Sequence, residues 1–132
     1  MYVRDVMTPE PITIMPSAPL EEALELMTRN GIHELPVVSG EQLDGIITER
    51  DLRGALGSSD HSPADLAREV QEVMTTDVQV LTTESSMAEA CHMLISARIS
   101  SLPVVDDAAQ LVGIISVTDV LSEAARLFEA SP

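Results

Sequence analysis

Gly45-Ile46-Ile47-Thr48-Glu49-Arg50-Asp51 returns further along the chain as Gly113-Ile114-Ile115-Ser116-Val117-Thr118-Asp119. Both copies follow one formula: glycine, two β-branched apolar residues, a hydroxyl residue, two variable positions and an aspartate. The glycine and apolar pair read as the end of a buried strand, and the hydroxyl residue reads as the N-cap of a helix that follows. The aspartate then falls in the first helical turn, beside backbone N–H groups that have no partner within the helix. Two readings of this turn stand side by side. Ser/Thr-x-x-Asp is a near relative of the capping box, in which the acid serves only the helix end. The same groups also suit the ribose-phosphate edge of a nucleotide. Amide donors and a hydroxyl favour an anion at a helix N-terminus, and a carboxylate accepts hydrogen bonds from adjacent sugar hydroxyls. Duplication at the same place in a longer repeat favours function, although a duplicated cap remains open.

The repeat extends outward from these motifs. Val6-Met7-Thr8-Pro9 opens the first copy and Val73-Met74-Thr75-Thr76 the second. Ile12-Thr13-Ile14 and Gln79-Val80-Leu81 read as short strands. Leu20, Ala23, Leu24 and Met27 recur at helical spacing, as do Met87, Ala90, Cys91, Leu94 and Ile95, each set predicting one apolar helix face. Ser17 and Ser85 or Ser86 are available as N-caps, and Gly31 stands where a left-handed C-terminal glycine is expected. Ile32-His33-Glu34-Leu35-Pro36-Val37-Val38 is echoed by Ile99-Ser100-Ser101-Leu102-Pro103-Val104-Val105. Each leads through a short loop into its glycine-containing strand, predicting a hairpin, and each copy closes in a helix over 49–56 or 117–130. Between the copies, residues 57–62 form a polar link. Ser62 and Pro63 then start a connecting helix, with Leu66, Val70 and Val73 in register. The division expected is 1–58 for the first repeat, 59–72 for the linker and its helix, and 73–132 for the second repeat. Neither repeat buries enough apolar surface alone, so the two are expected to pack together.

Composition narrows the function. The chain has 132 residues, 45% hydrophobic and 22% charged, which is globular rather than disordered. Aromatic residues make up only 2%, so no stacking platform for single-stranded nucleic acid is available. Seven basic residues, all arginine, face 22 acidic ones, for a net charge of −15. DNA, RNA and anionic membranes are therefore poor partners, whereas a small anionic ligand is still allowed by screening and local donors. One cysteine permits no internal disulfide, no apolar run is long enough to span a bilayer, and the opening residues lack a signal peptide's apolar core. A cytoplasmic protein is the expectation. Cys91 sits at the repeat position of Leu24 and reads as packing rather than as a nucleophile. His92, its chain neighbour, does not face it on a helix. Asp60-His61 and Asp106-Asp107 are too sparse for a metal site and read as solvated loops.

The order β-α-β-β-α in two copies, the Val-Met-Thr openings, the Leu-Pro-Val-Val strand entries and the Gly-Ile-Ile-(Thr/Ser)-x-x-Asp closings together resemble a tandem pair of CBS domains, also called a Bateman module. The resemblance covers about residues 5–125. It implies an α+β fold of two repeats packed with pseudo-twofold symmetry, and two clefts between them that bind adenosine-containing ligands: AMP, ADP, ATP, or sometimes S-adenosylmethionine or NAD. By similarity, Asp51 and Asp119 would hold ribose hydroxyls, with Thr48 and Ser116 near the phosphate or sugar. Ile12, Thr13, Pro36 and Val37 in one repeat, and Val78, Gln79, Pro103 and Val104 in the other, are candidates to sandwich the adenine.

The family often places basic residues before the Leu-Pro entry. In the family they reach the phosphate held by the other repeat's aspartate, and His33 keeps that character, so the resemblance assigns it to the ligand of Asp119; Glu34 follows it, however, and the second copy has Ser100-Ser101, with Arg50 and Arg98 as candidate substitutes. The departure disfavours tight polyphosphate binding, especially at Asp51. No resident cofactor is implied, since the nucleotide would be a regulatory ligand and Mg2+ would arrive only with ATP. The expected function is a non-enzymatic, nucleotide-sensing regulatory module, forming a homodimer and possibly regulating a partner protein. The alternative is a ligand-free dimerisation or interaction module acting on a partner protein. An enzyme is a third and weaker reading, because no nucleophile-base-acid arrangement is evident.

Overall fold

The computed structural model describes residues 1–57 and 61–131, so Ser58, Ser59 and Asp60 of the expected polar link, and Pro132, lie outside the described residues. The fold is α+β and built from two β-α-β-β-α repeats. Its compact units, however, do not follow the linear division of the sequence. One unit comprises Ile12–Val78, and the other joins Met1–Pro11 to Gln79–Pro132. The opening segment of each repeat therefore packs with the later elements of the other repeat.

In the Ile12–Val78 unit, α1 (Leu20–Asn30) precedes the antiparallel hairpin of β2 (Glu34–Ser39) and β3 (Gln42–Thr48), which leads directly into α2 (Glu49–Leu56). The one-turn helix α3 (Pro63–Leu66) starts at Ser62, whose hydroxyl accepts from the Asp65 N–H at 3.1 Å. Ile12-Thr13-Ile14, expected as a strand, is reduced to a single parallel bridge between Ile14 and Val37. It is held because the Ile14 N–H donates to Pro36 O at 3.1 Å and the Val38 N–H to Ile14 O at 2.9 Å. On the far side of the hairpin, Ile46 and Thr75 exchange backbone hydrogen bonds of 2.9 and 2.8 Å.

The second unit repeats this plan, with two-residue strands in place of the single flanking bridges. β1 (Thr8–Pro9), β6 (Leu111–Ser116), β5 (Ser101–Val105) and β4 (Leu81–Thr82) lie in that order, Thr8 opposite Ile114 and Leu81 opposite Val104. Helix α4 (Met87–Ala97) precedes the hairpin and α5 (Val117–Ala130) follows it. Both hairpins shift register at the same place, between Val37 and Val38 and between Val104 and Val105.

Apolar spacing selects the cores. Leu20, Leu35, Val37, Ile47 and Val70 are fully buried in one unit, and Val3, Leu81, Leu102, Val104 and Ile115 in the other. Val70 and Val3 belong to the incoming opening segments. The Val70 N–H bonds to Ala18 O and the Val3 N–H to Ser85 O, both at 2.8 Å. Each buried valine contributes on the order of 1.5–3 kcal/mol, anchoring its segment in the unit it joins.

Some sequence expectations shift in detail. Ser86 caps α4 by accepting from the Glu89 N–H at 3.0 Å. Ser17 does not cap α1, which begins after Pro19 without a side-chain cap. Leu24 and Ile95, expected on apolar core faces, are solvent-accessible instead, while Ala23, Met27, Ala90 and Leu94 fill those cores. Cys91 is half-buried.

The two motif glycines have a steric cause. A Cβ on Gly45 would stand 2.6 Å from the carbonyl oxygen of Thr75, and one on Gly113 would stand 3.0 Å from that of Thr8 and 2.5 Å from Met7 Sδ. Gly45→Ala is expected to cost about 1–3 kcal/mol, because rigid backbone must move. Gly113→Ala should cost less, since its shortest clash is with a flexible methionine; urea unfolding of both variants measures the difference. At the end of α4, Arg98 adopts φ 54°, where Gly31 ends α1 with φ 62°. Arg98→Gly should raise stability by about 0.5–1 kcal/mol by relieving the left-handed conformation, read as an increase in the urea midpoint.

Candidate functional site

Both repeated motifs form the same local object. β3 runs into α2 at Thr48, which keeps extended backbone angles as the N-cap. The Thr48 hydroxyl accepts from the Asp51 N–H at 3.0 Å, and Asp51 Oδ2 accepts from the Thr48 N–H at 3.0 Å. β6 runs into α5 at Ser116 in the same way. There the Ser116 hydroxyl accepts from the Asp119 N–H at 3.0 Å, and Asp119 Oδ2 accepts from the Ser116 N–H at 2.9 Å. Capping boxes are therefore present at both motifs, and each aspartate satisfies its own helix start.

The cap does not use the whole carboxylate. In both units a threonine of the incoming opening segment reaches the second oxygen, and at Asp51 the same hydroxyl lies equally near the capping oxygen. Thr8 Oγ1 stands 3.4 Å from Asp119 Oδ1, and Thr75 Oγ1 stands 3.5 and 3.4 Å from the two oxygens of Asp51. These contacts are long for hydroxyl-carboxylate hydrogen bonds. Each half-buried aspartate is thus bound firmly through one oxygen and loosely through the other. Thr8 and Thr75 were not among the residues the motif marked. Their signal was available in the duplicated Met-Thr pairs, but the contact depends on pairing between segments remote in sequence.

The other sequence-marked residues fall into distinct surroundings. Pro36, Val37, Pro103 and Val104 are buried strand residues, with Val37 and Val104 in the two cores. Their side chains are committed to packing. Ile12 and Gln79 are exposed, whereas Thr13 and Val78 are half-buried. Arg50 and Arg98 are exposed, the first in the opening turn of α2 and the second at the end of α4.

His33 stands beside the first turn of α2, its carbonyl accepting from the Glu49 N–H at 2.8 Å. Its Nδ1 hydrogen-bonds Glu49 Oε2 at 2.7 Å, and it lines a cavity of about 360 Å³ flanked by α1 and α2. Neither Thr48 nor Asp51 lines that cavity. Among the described residues, no cluster of three or more His, Cys, Asp or Glu side chains is arranged to hold a metal ion, and no helix is long and apolar enough to cross a membrane.

The chain is similar to known proteins along nearly its whole length. A model of the CBS domain matches residues 3–58 and 70–126. The crystal structure of AcuB from Vibrio cholerae is 33% identical, with a TM-score of 0.88, covering 98% of this chain and 93% of that one. The structure of CBSX2 in complex with AMP is 25% identical with a TM-score of 0.82, covering 96% and 97% of the two chains. The CBS domain pair of protein MJ0100, in complex with 5-methylthioadenosine and S-adenosyl-L-methionine, is 28% identical with a TM-score of 0.79, covering 100% and 98%. Inosine-5'-monophosphate dehydrogenase of Methanocaldococcus jannaschii is 35% identical over 118 residues, which are 89% of this chain and 22% of that enzyme. The chain thus spans about a fifth of the length of that relative. With two matched copies of the domain and the same fold in the solved neighbours, the chain belongs to the CBS domain family.

Proposed function

We propose that the chain is a regulatory module that binds adenosine-containing ligands at the Thr48/Asp51 and Ser116/Asp119 helix starts. The observation that carries this reading is the division of labour within each aspartate. One carboxylate oxygen closes the capping box at 2.9–3.0 Å, while Oδ1 has only a threonine hydroxyl at 3.4–3.5 Å. A ribose hydroxyl can replace such a long contact with a shorter one without dismantling the helix cap. The complexes of CBSX2 with AMP and of the MJ0100 domain pair with 5-methylthioadenosine and S-adenosyl-L-methionine support an adenosine ligand.

In this reading Thr48 and Ser116 hold the helix start open toward the sugar or phosphate. Backbone groups around Pro36, Val37, Pro103 and Val104, with Ile12, Thr13, Val78 and Gln79, receive the base. Arg50 and Arg98 are exposed cations available to a phosphate, and His33 is a further candidate for it. With a net charge of −15 and no basic pair before either Leu-Pro entry, AMP and S-adenosylmethionine are favoured over ATP. Any Mg2+ would come with ATP. The module has no catalytic task, and its output is a change in how ligand-bound and ligand-free states pack, which requires the ligand to prefer one of them. Its setting is the cytoplasm, where adenine nucleotides are the signal.

Self-association has support of its own. Val117, Leu121, Ala124 and Phe128 recur at helical spacing on α5. Leu121 is 62% and Phe128 72% exposed, and Ile95 on α4 is 74% exposed. A second copy of the chain is the occupant proposed for this stripe. Dimerisation without any ligand is the alternative function, and a partner protein is the element such a dimer would regulate.

Titration calorimetry tests the binding sites. Asp51→Asn and Asp119→Asn retain an oxygen to accept the cap hydrogen bond but lose the charged acceptor, so each should remove or weaken at least about tenfold one of two AMP-binding events, with little change in melting. Asp51→Ala should additionally cost about 1 kcal/mol of stability, because the Thr48 N–H loses its capping-box acceptor. No heat with AMP, ATP or S-adenosylmethionine would select the ligand-free alternative, and unchanged affinity in both Asn variants would overturn the ribose assignment. Light scattering at micromolar concentration should give the mass of a dimer, and Leu121→Glu with Phe128→Glu should reduce it to a monomer. A monomeric wild type would remove the dimer.

A further inference from the structure

The two opening segments are held alike but joined to the chain differently. The Val3 N–H bonds Ser85 O at 2.8 Å, and the Val6 and Met7 N–H groups bond Val3 O at 3.0 and 2.9 Å. In the other repeat the Val70 N–H bonds Ala18 O, and the Val73 and Met74 N–H groups bond Val70 O, at the same three distances. Val3 and Val70 are both fully buried. The difference lies at Glu10, just before the chain passes from one unit to the other after Pro11. Glu10 has φ 48°, in the left-handed region. Among the described residues other than glycine, only Arg98 and Ala109 share a positive φ, so Asp77, the counterpart of Glu10 in the second repeat, makes the corresponding passage without it.

The neighbouring prolines explain the contrast. Pro11 disfavours the right-handed helical region for the residue before it, whereas Val78 places no such restriction on Asp77. Glu10 therefore turns through the left-handed region, where a residue with a Cβ is strained. That strain is present while Met1–Pro11 is docked and is released when the segment leaves, because only docking fixes the angle. The contacts that oppose release beyond the matched hydrogen bonds are slight. β1 is two residues long, and Pro9 has no N–H to give to the ladder with β6. Arg4 meets Glu84 at 2.6 Å, but the two side chains are 42% and 68% exposed, so water and salt weaken the pair. Thr8 reaches Asp119 only at 3.4 Å.

We infer that residues 1–11 are a strap, hinged at Glu10 and Pro11, that opens from β6 while the rest of its unit stays folded. Opening carries Thr8 away from Asp119 and leaves Oδ1 of that carboxylate without its hydroxyl, with the capping box to Ser116 intact. The segment that bears Thr75 has no strained hinge, so the hydroxyl beside Asp51 keeps its place. The strap makes the two helix starts unequal. On the ligand reading above, on which this consequence rests, the Asp119 start is the one whose access is gated.

Amide hydrogen exchange, read by NMR on the full chain without ligand, tests the strap. The Val3, Val6 and Met7 amides should exchange with little dependence on urea, through a local opening, while the β5 amides follow the urea-sensitive global route. Glu10→Gly should slow those three amides about two- to fivefold by freeing the docked hinge of strain. Glu10→Asn should act in the same direction, since asparagine tolerates the left-handed region. Asp77→Gly, at the unstrained counterpart, should not slow the Val70, Val73 or Met74 amides. Exchange of the three strap amides at the β5 rate and urea slope, unchanged rates in Glu10→Gly, or equal slowing by Asp77→Gly would each overturn the inference. In calorimetry the AMP-binding event that Asp119→Asn removes should weaken about two- to fivefold in Glu10→Gly, with the other event unchanged, because the binding-competent open state becomes rarer. A strap that opens in the exchange experiment but leaves both AMP events unaltered is not a gate, which would refute that part. Absence of any AMP binding would sink the ligand reading and leave the exchange result standing.

Discussion

The approach of a backbone carbonyl to a glycine governs this fold. Thr75 in one unit and Thr8 in the other bring their main chains against the glycine-bearing strand so closely that a single methyl group would intrude. That proximity adds an edge to each hairpin and places a buried valine in each core. It also sets a threonine hydroxyl near each motif aspartate. A two-stranded hairpin is marginal by itself, so the added edge belongs to the structural minimum. The glycine at the head of the repeated motif and the aspartate at its end are therefore linked: one admits the incoming segment, and the other meets it.

The capping box leaves part of each motif aspartate uncommitted. A carboxylate has two oxygens, and in both motifs the helix start uses one of them firmly. The other oxygen has a hydroxyl from a different part of the chain at 3.4–3.5 Å, a weak and exchangeable contact. The incoming segment can therefore shift at that oxygen without dismantling the helix start.

Much of this organisation is legible in the amino-acid order because it is local. The hairpins, the helix starts at Thr48, Ser116 and Ser62, and the left-handed end at Gly31 depend on neighbours within a few residues, and turn and capping chemistry reports them. What is not legible is long-range. No local pattern says that Thr8 lies opposite Ile114, so the repeats read as contiguous blocks although their opening segments are exchanged. Ile12-Thr13-Ile14 has strand composition but retains only one bridge, because little of its length meets a neighbour. Helical periodicity likewise placed Leu24 and Ile95 with the core. Spacing marks an apolar stripe but cannot distinguish its inner edge from a rim that faces a hollow or solvent.

The exchange of opening segments has a temporal consequence during synthesis. The Ile12–Val78 unit has all its parts once residue 78 has emerged, so it can close while the rest of the chain is still being made. Residues 1–11, made before that unit, must wait unpaired until β6 has followed it. A segment synthesised earlier thus finds its place later, and its apolar Val3 and Val6 are a temporary liability that a chaperone or a neighbouring nascent chain could capture.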